Sequence, residues 1–266
     1  MKSMNGLQRF WQQAYLLRLL VRRNIKNQYY RSFIGVLWTV LNPLLNMLVM
    51  MFVFSSIFGT EGITLDYPIY ILSGNIIFNI MRTSTAGSLP CLVHQRDMLQ
   101  KTKVSIRLFP AANVISSLVT FAFSFVALLL VGLIRFASND FSFHWQIVFI
   151  LILLPAVTLF SLGLSYFLSA LYVFFRDIEH IYSVLLTLWT YLTPLFYTVE
   201  RLNNETVSKI MVLNPMYHYV EYFRSLLSGV LPSVQEHVII YGFAAVMFLI
   251  GCIFMFSVKN KIAAKL

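Results

Sequence analysis

Charge is what this 266-residue chain lacks. Only 11% of its residues are Asp, Glu, Lys or Arg, against about 25% in a soluble domain. Hydrophobic residues make up 59%, so what remains cannot clothe a water-facing surface. A soluble globular protein is excluded and a polytopic membrane protein is left. Acids are scarcest, ten against twenty Lys and Arg, for a net charge of +10. The two cysteines, Cys91 and Cys252, have no CxxC or His-rich surroundings, so neither a metal site nor a disulfide has a signal. There is no G-x-x-x-x-G-K-[ST] loop and no hydrolase-type pairing of acid and histidine. No catalytic residue and no metal ligand is assigned, and the chain is not expected to split a nucleotide itself. The first 31 residues hold seven Lys or Arg and no long apolar core, so no cleavable leader is expected.

Long apolar runs are what is there. Six are candidates to cross a bilayer: Phe33–Phe58, Tyr67–Leu89, Leu108–Ile134, Trp145–Phe175, Ile181–Val199 and Val238–Val258. The second is diluted by Arg82 and several Ser, Thr and Asn, and the fourth exceeds what a span needs. Six crossings put both termini on one side. Sixteen of the twenty Lys and Arg then share that side, and seven of the ten acids lie opposite. The basic side is cytoplasmic by the positive-inside bias. Basic residues beside apolar runs also read as membrane flanks rather than as a nucleic-acid surface.

The expected fold is therefore all-α. Residues 1–31 form a cytoplasmic amphipathic helix in the membrane interface, with Leu7, Phe10, Trp11, Ala14, Leu17, Val21 and Ile25 on one face. Residues 32–258 form a six-span domain and 259–266 a cytoplasmic tail. Within the domain, 93–106 is a cytoplasmic loop and 200–237 an outer helical or re-entrant segment. A helix is predicted over Met216–Leu227, stopped by Gly229 and Pro232.

None of the six runs carries Asp or Glu, which argues against a proton- or sodium-driven carrier. Energy must come from another subunit. Arg82 lies toward the basic end of its run, either reaching lipid phosphates or facing a polar path. Trp189, Tyr191, Phe196 and Tyr197 stand among Thr190, Thr193 and Thr198. Such a face suits a sugar path or an interfacial belt. In the first run, Pro43 removes a backbone donor and Asn42 offers a polar group beside it. His218 and Glu221, at i and i+3, share a helix face. They are the pair a membrane-embedded acyl- or glycosyltransferase would use. A purely structural anchor is a third alternative.

The stretch from Gln28 to Phe58, "QYYRSFIGVLWTVLNPLLNMLVMMFVFSSIF", resembles the first span of permease subunits of bacterial ABC exporters for polysaccharides. These carry lipid-linked O-antigen, capsule or wall teichoic acid. Arg31-Ser32, Gly35, Trp38 and Pro43 carry the match. "YLTPLFY" (Tyr191–Tyr197), "VFFRDIEHI" and "LNPMYHYVEYFRSLL" resemble later motifs in the expected order, the last through Asn214, Pro215, Glu221 and Arg224. "SIRLFPAAN" departs from the pattern, which has Phe-Pro-Arg-Glu there.

The resemblance implies a permease paired with a second copy of itself and with two ATPase subunits that bind ATP and Mg. No cofactor belongs to this chain. Its place would be the bacterial plasma membrane, and its cargo a lipid-linked polymer. A drug or lipid exporter on the same scaffold is the alternative. Path candidates are Trp38, Asn42, Arg82, Trp189, Tyr191, Thr193 and Tyr197. Arg96, Asp97, Lys101, Lys103, Arg176 and Asp177 would couple to the ATPase. Arg22, Arg23 and Arg31 would admit the headgroup.

Overall fold

The computed structural model describes residues 6–29, 35, 37–58, 65–101, 104–199 and 205–265. Every regular element among them is helical. Gly6–Tyr29 forms α1, Leu37–Phe58 α2, Tyr67–Ser88 α3, Cys91–His94 α4 and Arg96–Lys101 α5. Leu108–Ala137 is α6, and a 3-10 turn at Trp145–Phe149 leads into α7, Ile150–Phe174. Then follow α8 (Ile178–Leu192), α9 (Glu205–Val212), α10 (Pro215–Leu227) and α11 (Val234–Lys265).

Four of these segments are long and apolar enough to cross a membrane: Leu37–Ser56, Leu108–Ala137, Trp145–Phe174 and Val234–Ile262. The protein is thus multi-pass. The other two expected runs fall short for different reasons. α3 is the centre of the molecule, packed against α2, α6, α7 and α10, and fifteen of its 22 residues are buried. A helix sheathed by protein need not be apolar all round, and Ser73, Ser84, Thr85 and Ser88 are wholly enclosed. α8 ends at Leu192 instead of continuing to Val199, because Thr193 is extended at ψ 125°. Pro194 follows, and a residue before proline is pushed out of helical geometry.

α1 meets the body along Leu17, Leu20 and Val21, which join a second core cluster with Leu92, Phe109, Val173 and Ile262. This seam keeps Leu17 and Val21 of the expected face but is rotated from it. Leu20, outside that face, is the most deeply buried of the described α1 side chains, while Trp11 and Tyr15 are 66% and 64% exposed. α7 and α11 form the most extensive helix pair. Their backbones touch at Gly163 and Gly251, where a Cβ on Gly251 would lie 2.0 Å from the Gly163 carbonyl oxygen. Small residues permit this approach, which supplies packing where lipid offers no hydrophobic drive.

The end of the bundle at which α3 begins is tied by polar contacts. Asp66 precedes α3, and its carboxylate accepts from Arg135 Nε (3.1 and 3.0 Å) and Nη2 (2.7 Å) on α6. α10 is capped by Asn214, whose Oδ1 accepts from the Met216 amide at 3.0 Å. It closes at Gly229, which has φ of 77° and suits glycine. The helix predicted over Met216–Leu227 is thus Pro215–Leu227.

Candidate transport cleft

Three helices turn polar stripes toward one another. On α2, Asn42 and Asn46 stand at i and i+4; on α3, Asn75, Asn79 and Thr83 continue that spacing. On α6, Ser117, Thr120 and Ser124 recur at i, i+3 and i+7. These spacings place each set on one helical face. The three faces line a cleft of about 530 Å³, completed by Trp38, Arg82, Thr190, Tyr191 and Phe196. Among its described lining residues, Arg82 carries the one charge.

Of the seven path candidates, Trp38, Asn42, Arg82 and Tyr191 line this cleft. Pro43 lies beside them, inside a helix that continues through it. Trp189, Thr193 and Tyr197 are outside the lining and brace the break after α8. Trp189 Nε1 donates to Asn214 Oδ1 at 2.7 Å. Thr193 Oγ1 donates to the Trp189 carbonyl at 2.8 Å and accepts from Asn214 Nδ2 at 2.9 Å. The Tyr197 hydroxyl donates to the Tyr191 carbonyl.

That break is held by unusual company. Arg224 is only 4% exposed. Its Nη1 donates to the Pro194 carbonyl and to Glu221, and its Nη2 to the Tyr70 and Leu195 carbonyls, at 2.7–3.2 Å. The guanidinium lies 3.4 Å from the centre of the Tyr70 ring. Tyr67 and Tyr70 donate to the Phe196 and Tyr197 carbonyls at 3.1 and 2.7 Å. The four carbonyls from Pro194 to Tyr197 thus receive donors from α10 and α3, and the Leu192 carbonyl accepts from Asn214 Nδ2 at 3.3 Å. The clamp fixes Tyr191 on one side of the break and Phe196 on the other, both facing the cleft. Charge and motif order alone carry no sign that Tyr70 and Asn214 do this work.

The catalytic alternative loses its geometry. Glu221 is paired with Arg224 at 2.7 Å. His218 instead engages the Val212 carbonyl at 2.7 Å through Nε2 and stacks on Phe243. Nearby, burial pushes the Tyr222 hydroxyl up to about 12, leaving it a neutral partner for His237 at 3.1 Å. Among the described residues no three His, Cys, Asp or Glu gather to hold a metal.

At the other end of the molecule, Arg96, Asp97 and Lys101 are exposed on α5, and Arg176 and Asp177 are exposed on the α7–α8 turn. Their neighbours Met98, Leu99 and Phe174 share the second core cluster, so both groups occupy one end. Lys103 and Arg31 lie outside the described residues. Arg22 is exposed on α1. Arg23 donates to Gln95 at 2.9 Å and borders a second cavity of about 250 Å³ with Asn24, His94 and Asn113. Asn113 accepts from Asn24 and donates to the Gly87 carbonyl, at 2.8 and 2.9 Å, joining α1, α6 and α3.

Comparison with known proteins agrees with this architecture. Residues 15–228 match the family described as ABC-2 type transporter. The chain is 32% identical over 217 residues to the O-antigen export system permease protein RfbA of Myxococcus xanthus, covering 81% of each. It is 25% identical over 252 residues to an O-antigen export system permease protein RfbA of Klebsiella pneumoniae, covering 94% of this chain and 93% of the other. A polar cleft walled by membrane-length helices thus sits in a chain whose matched region is 80% of its length, and the protein is a member of the ABC-2 type transporter family.

Proposed function

We propose that this chain is the permease subunit of an ATP-driven exporter that moves a lipid-linked polysaccharide across the bacterial plasma membrane. The observation that carries the reading is the cleft: its described lining is amides, hydroxyls and a single arginine, with no carboxylate, inside an otherwise apolar bundle. Such a lining offers hydrogen bonds to sugars and no acidic site for a driving cation. The two relatives' names, O-antigen export system permease, support the same cargo class.

In this reading α3 and α8 complete six crossings. α3, at 22 residues, reaches about 33 Å, enough for a hydrocarbon core of about 30 Å. Both termini lie in the cytoplasm, and α9 and α10 cap the outer side as a re-entrant hairpin. A second copy of the chain completes the path. Two ATPase subunits, binding ATP and Mg, press on Arg96, Asp97, Lys101, Lys103, Arg176 and Asp177. Arg22, Arg23 and Arg31 meet the anionic headgroup.

The test is reconstitution. Vesicles holding the chain together with its ATPase should translocate a polyprenyl-diphosphate-linked glycan only when ATP is present. Translocation by the chain alone, or none by the pair, overturns the reading.

A further inference from the structure

The cleft's lining discriminates by charge. A carboxamide offers one acceptor and two donors without a formal charge, which complements a hydroxyl that both donates and accepts. Asn75 Nδ2 is engaged by the Ile71 carbonyl at 2.9 Å. The side-chain amides of Asn42, Asn46 and Asn79 make no hydrogen bond to any described residue. Their donors and acceptors are left to whatever occupies the cleft. The hydroxyls differ: Thr83 and Thr120 donate back to their own helices, to Asn79 and Ser116 carbonyls at 2.6 and 3.3 Å. They keep lone pairs that accept. Amide donors on α2 and α3 thus face hydroxyl acceptors on α3 and α6, and Trp38 and Tyr191 add ring faces suited to sugar C–H surfaces.

Against that neutral lining stands one cation among the described lining residues. Arg82 lies near the α4 end of α3, and its guanidinium has no acidic partner among the described residues. A single anionic group is matched there. A polymer with a phosphate in every repeat would bring further charges past the amides with nothing to neutralise them, and unpaired charge away from water is costly.

Resting on the exporter reading above, we infer that the cleft selects an uncharged, hydroxyl-rich glycan chain whose one anionic group is met by Arg82. It disfavours a poly(phosphodiester) chain.

The experiment uses the full chain purified with its ATPase and reconstituted in vesicles. Two probes of equal length are compared: a polyprenyl-diphosphate-linked oligomer of neutral hexoses, and the same lipid carrying glycerol-phosphate repeats. The neutral probe should move faster by about tenfold or more, the effect of losing one to two good hydrogen bonds or one charge match. Asn46→Leu with Asn79→Leu should slow it by about tenfold, and Asn79→Arg should narrow the gap between the probes. Asn46→Gln with Asn79→Gln, which keeps the amides, should retain most transport, and co-elution with the ATPase reports that each variant has folded. Equal rates for both probes in the unaltered protein, or full transport by a folded double-leucine variant, overturns the charge selection while leaving the exporter reading intact. Movement of neither probe overturns both.

Discussion

Arg224 shows how a charged side chain comes to be stationed inside a membrane protein. Its guanidinium is directed mainly at backbone carbonyls, with Glu221 as counter-charge. The Pro194 and Leu195 carbonyls among them are open to accept because α8 ends early. Removing the donor strands them, and breaking a buried charged cluster costs about 3–5 kcal/mol. Arg224→Met should therefore lower the thermal midpoint of the purified complex sharply. Arg224→Lys should recover little, because a point ammonium cannot serve several carbonyls in one plane. A midpoint within a degree of the unaltered protein for Arg224→Met would refute the clamp. Asn214 is the second lock, joining Trp189, Thr193 and the Met216 amide. Asn214→Ala should cost about 1–2 kcal/mol as a lost cap alone, and more through its other partners. Arg82, by contrast, has no such ring of carbonyls among the described residues and lies on the cleft lining.

Helix contacts divide into two kinds. α7 and α11 approach until their backbones touch, and side chains are excluded at Gly163 and Gly251. Gly251→Leu should separate the helices and abolish a stable folded complex, read as loss of the monodisperse peak in detergent. Gly242, on the same helix, has open space where a Cβ would go. Gly242→Ala should be neutral or stabilise by up to about 1 kcal/mol through helix propensity. Equal behaviour of the two variants would refute close approach as the reason for Gly251. α2 behaves oppositely toward the closely packed α3 and α6. It stands off enough to leave the 530 Å³ cleft, and the polar stripes that face it are those a tightly packed trio would have to bury unsatisfied.

Among the described residues, charge is biased along one axis. Exposed Arg22, Arg23, Arg96, Lys101 and Arg176 occupy the end that holds α1, α5 and the α7–α8 turn, whereas Asp66, Asp140, Glu221 and Glu236 occupy the other. Exposed Trp11, Tyr15 and Leu19, at i, i+4 and i+8, give α1 a second apolar stripe on the side away from α6. One stripe holds α1 to the body and the other suits the lipid interface. With Cys91 and Cys252 changed to Ser, Gln12→Cys and Lys261→Cys should resist an impermeant thiol reagent applied outside intact cells. Gln235→Cys should react. The reverse pattern would invert the assigned topology.

Composition and charge sufficed for membrane class, an all-helical fold and the basic end. These follow from properties summed over many residues, which local context cannot reverse. Helix α10 was equally legible, because Asn214-Pro215 and Gly229 are local start and stop signals. The partners of individual polar residues were not. Trp189, Thr193, Tyr197 and His218 look like path or catalytic groups in isolation. Only folding brings Asn214 against the end of α8 and Arg224 beneath Pro194. The asparagines of α3 read in the sequence as dilution of an apolar run, and only the fold sets α2 and α6 opposite them. A hydrogen bond is decided by distance between segments up to 154 positions apart, as between Tyr70 and Arg224, and a linear pattern holds no record of that distance.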